Sequence, residues 1–294
     1  MKYEITDQKM NYNGIILSRI KALESFSNIK KGDLGGWIEK EENLSQGGNC
    51  WIYDNSVCYE GARVSENATL RNNSRVYGSA RINGEAKLKE NVQVYGNAQV
   101  TDFAEMTGFA KAFDSSQIMG SSKIGGTSSA SGFSKVSDYS EMSDNSIISG
   151  FGQISGKASM LNNSSLGGNA KLTDRAVLQD NAKIFGDSTV SEMSIVKDTA
   201  EVYGTTVVRG SSIVEKNAEV FGRAIIEENQ VVGLNEKVFE PPKEEGGGSG
   251  SGGGSGFGPR IIVYPHSINN LNGSDAIAEQ LEIMNTPPPA PPAP

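Results

Sequence analysis

Few residues of this sequence have the types and spacing that catalysis requires. The single histidine, His266, lies beyond a Gly/Ser stretch at residues 246–256. A general base must reach the proton that it removes, and the regular part of the chain contains only scattered carboxylates, Asp114, Asp138, Glu141 and Asp144. The sequence has neither a GxxxxGK[ST] phosphate loop nor a cluster of metal ligands. We therefore expect no catalytic residues, no metal and no cofactor, and we predict that the chain is not an enzyme.

The composition limits the classes of partner that the chain can bind. Among 294 residues, 27 are Lys or Arg and 35 are Asp or Glu, a net charge of −8, and this balance argues against nucleic acid as a partner. The N-terminus lacks the apolar core of a signal peptide, and no run of 18 apolar residues occurs, so we expect a cytoplasmic protein that has no membrane partner. Two cysteines, Cys50 and Cys58, are too few for a disulfide framework and are predicted to be buried and free.

A six-residue repeat decides the expected fold. It runs without insertion or deletion over the 192 residues from Asn49 to Glu240, which make 32 hexapeptides. The fourth position is always apolar, and the second position is nearly always small. Asn, Ser or Gly dominate the first and sixth positions, where turns need residues that tolerate left-handed backbone. Because alternate residues of a strand share a face, the pattern predicts short strands joined at corners, three to each 18-residue coil.

The motif itself resembles a known family. A branched aliphatic residue is followed four positions later by a small one, as in Val64 and Ala68 or Val94 and Ala98, which is similar to left-handed parallel β-helices. Residues 30–64 also resemble prophage-encoded hexapeptide-repeat proteins of the YdcK kind. The resemblance implies an all-β, single-stranded, left-handed parallel β-helix, here a triangular solenoid of about 10–11 coils. It also implies an acyltransferase scaffold, but such enzymes carry a histidine on a loop that interrupts the repeat, and residues 49–240 contain neither.

The repeat divides the chain into four parts. Residues 1–42 are predicted to cap the N-terminal end, with "NGIILSRIKAL" as a strand and "KKGDLGG" as a turn, and residues 43–240 form the solenoid. Residues 241–256 are interpreted as an engineered linker, with a natural linker as the alternative. Residues 257–294 are too short to bury a core alone. We interpret them as a peptide of another protein, fused to hold a weak complex together.

One outward column of the solenoid changes character toward its C-terminal end. Residues 18 apart stack on each other, and the column at the third hexapeptide position turns from polar to β-branched. Its apolar members are Val177, Ile195, Ile213 and Val231, and the neighbouring face adds Val207 and Ile225. Outward apolar rows usually mark contacts. We expect a protein partner to bind here, either the segment at 257–294 or a second copy of the chain.

A second candidate surface interrupts an aromatic ladder at the fifth position. Between Phe113 and Phe185, the ladder is broken by Ser131, Ser149 and Gly167. Stacking that supports the corner would explain the ladder, and a groove for a ligand or partner at the interruption is the alternative. The rings nearby are expected to fill the space that the small inward Ala112 and Ala130 leave. These rings are Phe103, Phe109, Phe133, Tyr139 and Phe151.

The segment at 257–294 supplies the expected contacts of the partner. A short strand provides Ile261, Ile262, Val263 and Tyr264, and a short helix provides Ile277, Leu281 and Met284. Such a strand could add to an open face or end of the solenoid. The sequence thus favours a non-enzymatic scaffold of phage or prophage origin, an adaptor, chaperone or inhibitor that binds a segment of another protein. An acyltransferase relative and a structural fibre or tip module are the alternatives.

Overall fold

The computed structural model describes residues 1–240 and the strand Ile262–Tyr264. Parallel strands of three sheets wind into an all-β solenoid, with one strand of each sheet in every coil. The first face has 11 strands, so the solenoid has about 11 coils, as predicted. Helix within residues 1–240 is limited to the 3-10 turn Glu41–Asn43. No helix in that range is long and apolar enough to cross a membrane.

The three faces are named here by the order in which one coil visits them. Face 1 consists of the strands Trp51–Ile52, Thr69–Leu70, Lys87–Leu88, Glu105–Met106, Lys123–Ile124, Glu141–Met142, Ser159–Met160, Val177–Leu178, Ile195–Val196, Ile213–Val214 and Val231–Val232. Face 2 consists of Tyr3–Tyr12, Ile15–Ala22, Leu34–Ile38, Val57–Cys58, Arg75–Val76, Gln93–Val94, Lys111–Ala112, Ser129–Ala130, Ile147–Ile148, Ser165–Leu166, Lys183–Ile184, Glu201–Val202, Glu219–Gly222, Lys237–Glu240 and Ile262–Tyr264. Face 3 consists of Arg63–Val64, Arg81–Ile82, Gln99–Val100, Gln117–Ile118, Lys135–Val136, Gln153–Ile154, Lys171–Leu172, Thr189–Val190, Val207–Val208 and Ile225–Ile226.

The predicted inward positions form the core. Fourth-position residues such as Val94 and second-position residues such as Ala98 are fully buried. In the middle coils the second position is often serine, and Ser128 and Ser146 are buried with their hydroxyls 3.2 Å apart. Cys50 and Cys58 are buried and free, as expected, and burial raises the pKa of both thiols.

Sixth-position carboxylates connect successive coils at the corners. Asp114 has a φ of 56°, and its carboxylate accepts a hydrogen bond of 3.0 Å from the backbone N–H of Gly132, one coil later. Asp138 does the same for Gly156 at 2.9 Å. The left-handed backbone makes the corner, and the carboxylate satisfies an N–H of the next coil that would otherwise lack a partner. We call side chains that make this contact corner carboxylates.

The N-terminal cap extends face 2. Tyr3–Tyr12 and Ile15–Ala22 pair in antiparallel fashion, and Leu34–Ile38 leads into the parallel stack by pairing with Val57–Cys58. The prediction of a turn over "KKGDLGG" is wrong for its last three residues, which belong to that strand. A Cβ on Gly35 would lie 2.6 Å from side-chain atoms of both Ile20 and Trp51. Gly36 is equally confined, against the Ile52 side chain. Close packing of this strand therefore requires glycine at both positions.

Candidate binding surfaces

The apolar column lies on face 1, where its members follow one another in register. Val177 is paired with Ile195, Ile195 with Ile213, and Ile213 with Val231. The first three side chains point outward but are half-buried, whereas Val231 is 59% exposed. Val207 and Ile225 on face 3 are also half-buried. The largest free apolar area of this column is therefore at its C-terminal end, where Leu234 is 69% exposed at the next corner.

The same face carries ion pairs nearer the N-terminus. Lys123 and Glu141 occupy adjacent strands, with 3.5 Å between the ammonium nitrogen and a carboxylate oxygen. Lys89, which directly follows the strand Lys87–Leu88, forms a second ion pair with Glu105. Face 1 thus changes from paired charges to β-branched side chains along its length, as the column of third positions predicted.

The edge strand of the last coil is paired with a strand from the C-terminal segment. Lys237–Glu240 pairs in antiparallel fashion with Ile262–Tyr264, with Val238 opposite Val263 and Phe239 opposite Ile262. The other expected contacts of the C-terminal segment, Ile261, Ile277, Leu281 and Met284, lie outside the described residues, as do His266 and the predicted linker at 241–256.

The aromatic ladder runs along the corner between faces 2 and 3. Rings of neighbouring coils stack nearly parallel, with centroids 4.9 Å apart for Tyr77 and Tyr95 and 5.1 Å for Tyr95 and Phe113. Burial raises the pKa of Tyr59 to about 12. The pKa of Tyr203 is also raised to about 12, by burial and by the hydrogen bond that its hydroxyl donates to Glu219 at 3.1 Å. The ladder therefore covers the corner as a half-buried, stacked structure.

At the interruption of the ladder, the aromatic rings change position instead of disappearing. Ser131, Ser149 and Gly167 are half-buried, but Phe133 and Phe151, each two residues after one of the serines, stack with centroids 5.1 Å apart. They are 58% and 56% exposed.

The expectation that the nearby rings fill space next to Ala112 and Ala130 is therefore wrong. Phe103, Phe109 and Tyr139 are likewise 59–64% exposed. All five rings occupy the first hexapeptide position, which lies at the tip of a turn outside the core. The inward Ala112 and Ala130 are fully buried without them.

No family model matches the chain. It is 33% identical over 78 residues to a protein of Escherichia coli K12 named "uncharacterized acetyltransferase YdcK", and the match covers 24% of each chain. The chain therefore spans about a quarter of the length of this curated relative. The prediction that the chain is not an enzyme is contradicted by this finding, because the relative is named an acetyltransferase. In repeat and in architecture, the chain resembles the hexapeptide-repeat left-handed β-helix proteins.

Proposed function

We propose that the solenoid binds an extended segment of another protein at its C-terminal end, as an adaptor, chaperone or inhibitor. The observation that carries the proposal is the antiparallel pairing of Ile262–Tyr264 with Lys237–Glu240. An open sheet edge offers a row of backbone donors and acceptors, and strand addition is a common way to recognise a peptide. In this proposal, residues 257–294 are the partner's segment, and the Gly/Ser stretch raises its effective concentration at the edge.

The side chains near this edge support the same proposal. Val231 ends the apolar column of face 1, and Leu234 follows at the corner that leads to Lys237–Glu240. Both are more than half exposed. Burying an apolar side chain stabilises a complex by about 25 cal/mol per Å², so a segment that turns this corner would gain apolar contact as well as backbone hydrogen bonds.

Cleavage of the linker tests the proposal on the full chain. A protease site placed within residues 246–256 would separate the solenoid from its C-terminal segment. We expect the cleaved segment to co-elute with the solenoid in size-exclusion chromatography. Val263→Pro removes a backbone donor from the paired strand, so the cleaved segment should then elute alone. Ser267→Pro, beyond the strand, is the matched control and should leave co-elution unchanged.

Two outcomes would contradict strand addition. If the cleaved wild-type segment dissociates at high micromolar concentration, the edge does not bind it. If Val263→Pro and Ser267→Pro behave alike, the contact does not depend on the strand. A second copy of the chain is the other occupant that the apolar column allows, and sedimentation equilibrium of Val231→Glu and wild-type protein would detect it as a change in mass.

Acetyl transfer is a second candidate function, favoured by the similarity to the protein named an acetyltransferase. Its test is release of free coenzyme A from acetyl-coenzyme A in the presence of a panel of amine and hydroxyl acceptors. Release that rises with acceptor concentration would support the transferase. Release at the rate of the protein-free control with every acceptor would count against it.

A further inference from the structure

Face 3 presents an outward surface without acidic side chains over seven consecutive strands. The third hexapeptide positions carry only long cationic or amide side chains: Arg63, Arg81, Gln99, Gln117, Lys135, Gln153 and Lys171. Short polar side chains predominate beside them at the fifth position: Ser65, Asn83, Thr101, Met119, Ser137, Ser155 and Thr173. This surface, which we call the amide face, differs from the other two faces, where carboxylates occur at the third position.

The cations of the amide face have no partners within the described part of the chain. Ion pairs join the outward Lys123 and Glu141 on face 1 and Lys183 and Glu201 on face 2. None of the four cations at the third position between residues 63 and 171 of face 3 makes an ion pair there. Neighbouring like charges on adjacent strands are unfavourable, and Arg63 lies directly opposite Arg81. An external anionic group would relieve this repulsion.

A polar atom beside these arginines also lacks a partner. Arg63, Ser65, Arg81 and Asn83 line a shallow hollow. The side-chain oxygen Oδ1 of Asn83 is buried and makes no hydrogen bond within residues 1–240. Burying this oxygen unpaired costs about 1–3 kcal/mol, so Asn83 gains a partner if its side chain turns out into the hollow to meet a donor on a ligand.

Exposed aromatic rings border the amide face along both corners. Phe133 and Phe151 come two residues before the outward Lys135 and Gln153. On the other side, Phe103 and Tyr139 come four residues after Gln99 and Lys135. All four rings are more than half exposed. The middle of the face therefore combines amides and hydroxyls with rings on either side.

The charge density of the face restricts the ligand. Arg63 and Lys171 are six strand spacings apart, about 29 Å at ~4.8 Å each, and only four cations occupy that length. Corner carboxylates border the same face, among them Asp102 and Asp138. A nucleic acid carries a phosphate on every nucleotide and selects dense positive charge, so these acids disfavour it. A sparsely charged ligand fits better.

We propose that the amide face binds a linear, weakly acidic polysaccharide that lies along the solenoid axis. Gln, Ser and Thr side chains donate and accept hydrogen bonds, as sugar hydroxyls require, and the rings at the corners offer flat surfaces to the apolar sides of sugar rings. The isolated arginines and lysines bind occasional carboxylates through charge-assisted hydrogen bonds. This inference is independent of the strand edge, because it concerns another face of the solenoid.

Isothermal titration of the full chain tests the inference. The probe is an oligogalacturonate in which most carboxyl groups are methyl-esterified, so that free carboxylates are sparse along it. It is long enough to span the seven strands, and we expect saturable binding. Phe133→Ala combined with Phe151→Ala should weaken it about tenfold, equivalent to about 1.4 kcal/mol. Phe109→Ala is the matched control, because Phe109 has the same hexapeptide position and a similar exposure of 59% at the corner between faces 1 and 2. It should bind like wild type.

The charged positions supply a second comparison. Lys135→Gln combined with Lys171→Gln should weaken galacturonate binding, whereas Lys111→Gln on face 2 should not. The inference is overturned if galacturonate shows no saturable binding, or if Phe109→Ala weakens binding as much as the double variant. Tighter binding of oligothymidylate than of galacturonate would also overturn it and would assign the face to single-stranded nucleic acid.

Discussion

Two stretches of one corner use aromatic rings in opposite ways. In the outer coils, rings at the fifth position, such as Tyr95, stack on both neighbours and are half-buried. In the coils between them, the rings of Phe133 and Phe151 lie two residues later and are more than half exposed. The residue type and the stacking distance hardly change. A displacement of two residues around a turn thus separates rings that stabilise the solenoid from rings that are free to bind.

The largest expected loss of stability comes from raising the pH, which acts on all ladder tyrosines together. Burial raises the pKa of Tyr59 and Tyr203 to about 12, and it also raises that of Tyr77 and Tyr95. The unfolded chain loses these protons near pH 10, before the folded chain does, so the stabilisation is present below pH 10 and is lost as the pH rises toward 12. Urea unfolding measured from pH 8 to pH 12 should show this decline. Tyr59→Phe combined with Tyr203→Phe should flatten it, and an unchanged slope would contradict the role of the ladder.

Removing one ring from the ladder should have the next largest effect. Tyr95→Ala deletes contacts with Tyr77 and Phe113, both about 5 Å away between ring centroids. We expect the free energy of unfolding to fall by about 2 kcal/mol, since the ring is half-buried and stacked on both sides. Urea denaturation followed by circular dichroism measures it. A loss below about 0.5 kcal/mol, the usual range for surface substitutions, would remove the distinction between the two stretches.

A smaller loss of stability is expected from substitution of Asp114, at the border between the two stretches of the corner. Asp114 follows the last ring before the interruption and accepts the N–H of Gly132. Asp114→Ala should cost about 1 kcal/mol, because that N–H loses its partner. Asp114→Asn keeps an acceptor and tolerates left-handed backbone, so it should restore most of the loss. If both variants unfold at the same urea concentration, the contact with Gly132 does not contribute.

The smallest effect is expected from the exposed rings. Phe151→Ala should change the free energy of unfolding by less than about 0.5 kcal/mol, because the ring is 56% exposed and contacts one stacked neighbour, Phe133. The same urea experiment measures it beside Tyr95→Ala. A loss as large as that of Tyr95→Ala would mean that these rings stabilise the corner and are not reserved for binding.

The repeating part could be predicted from the sequence because every hexapeptide places its residues in the same environment. Once Val94 and Ala98 are assigned to the inside, the inward and outward positions of every other hexapeptide are known. The outward columns of residues 18 apart follow from that assignment. The small inward Ala112 and Ala130 suggest that Phe133 and Phe151 fill space beside them, but the first hexapeptide position, which both rings occupy, is a turn tip outside the core. The amide face could have been found from the sequence. From Arg63 to Lys171, every third hexapeptide carries Arg, Lys or Gln at its third position, and this pattern shows only when the three faces are compared one at a time.

The cap could not be predicted in the same way, because its contacts do not repeat. Lys2 is 3% exposed, and its ammonium group donates hydrogen bonds to the backbone carbonyls of Gly48 at 3.2 Å and Cys50 at 2.9 Å. A buried lysine is uncommon, and its partners here lie 46 and 48 residues away. Position 35 likewise needs glycine because the Trp51 side chain packs directly against it, and no local sequence pattern indicates that contact.

The corner carboxylates have a consequence for how the chain is made. Each one precedes by one coil the N–H that it binds, as Asp114 precedes Gly132 and Asp138 precedes Gly156. A ribosome that adds about 5–20 residues per second releases 18 residues in about 1–4 seconds, whereas a strand and turn form within microseconds. Wherever a coil carries a corner carboxylate, the finished end of the rod therefore displays an acceptor for the coil that emerges next. The rod can lengthen behind the ribosome one coil at a time, without waiting for its C-terminus.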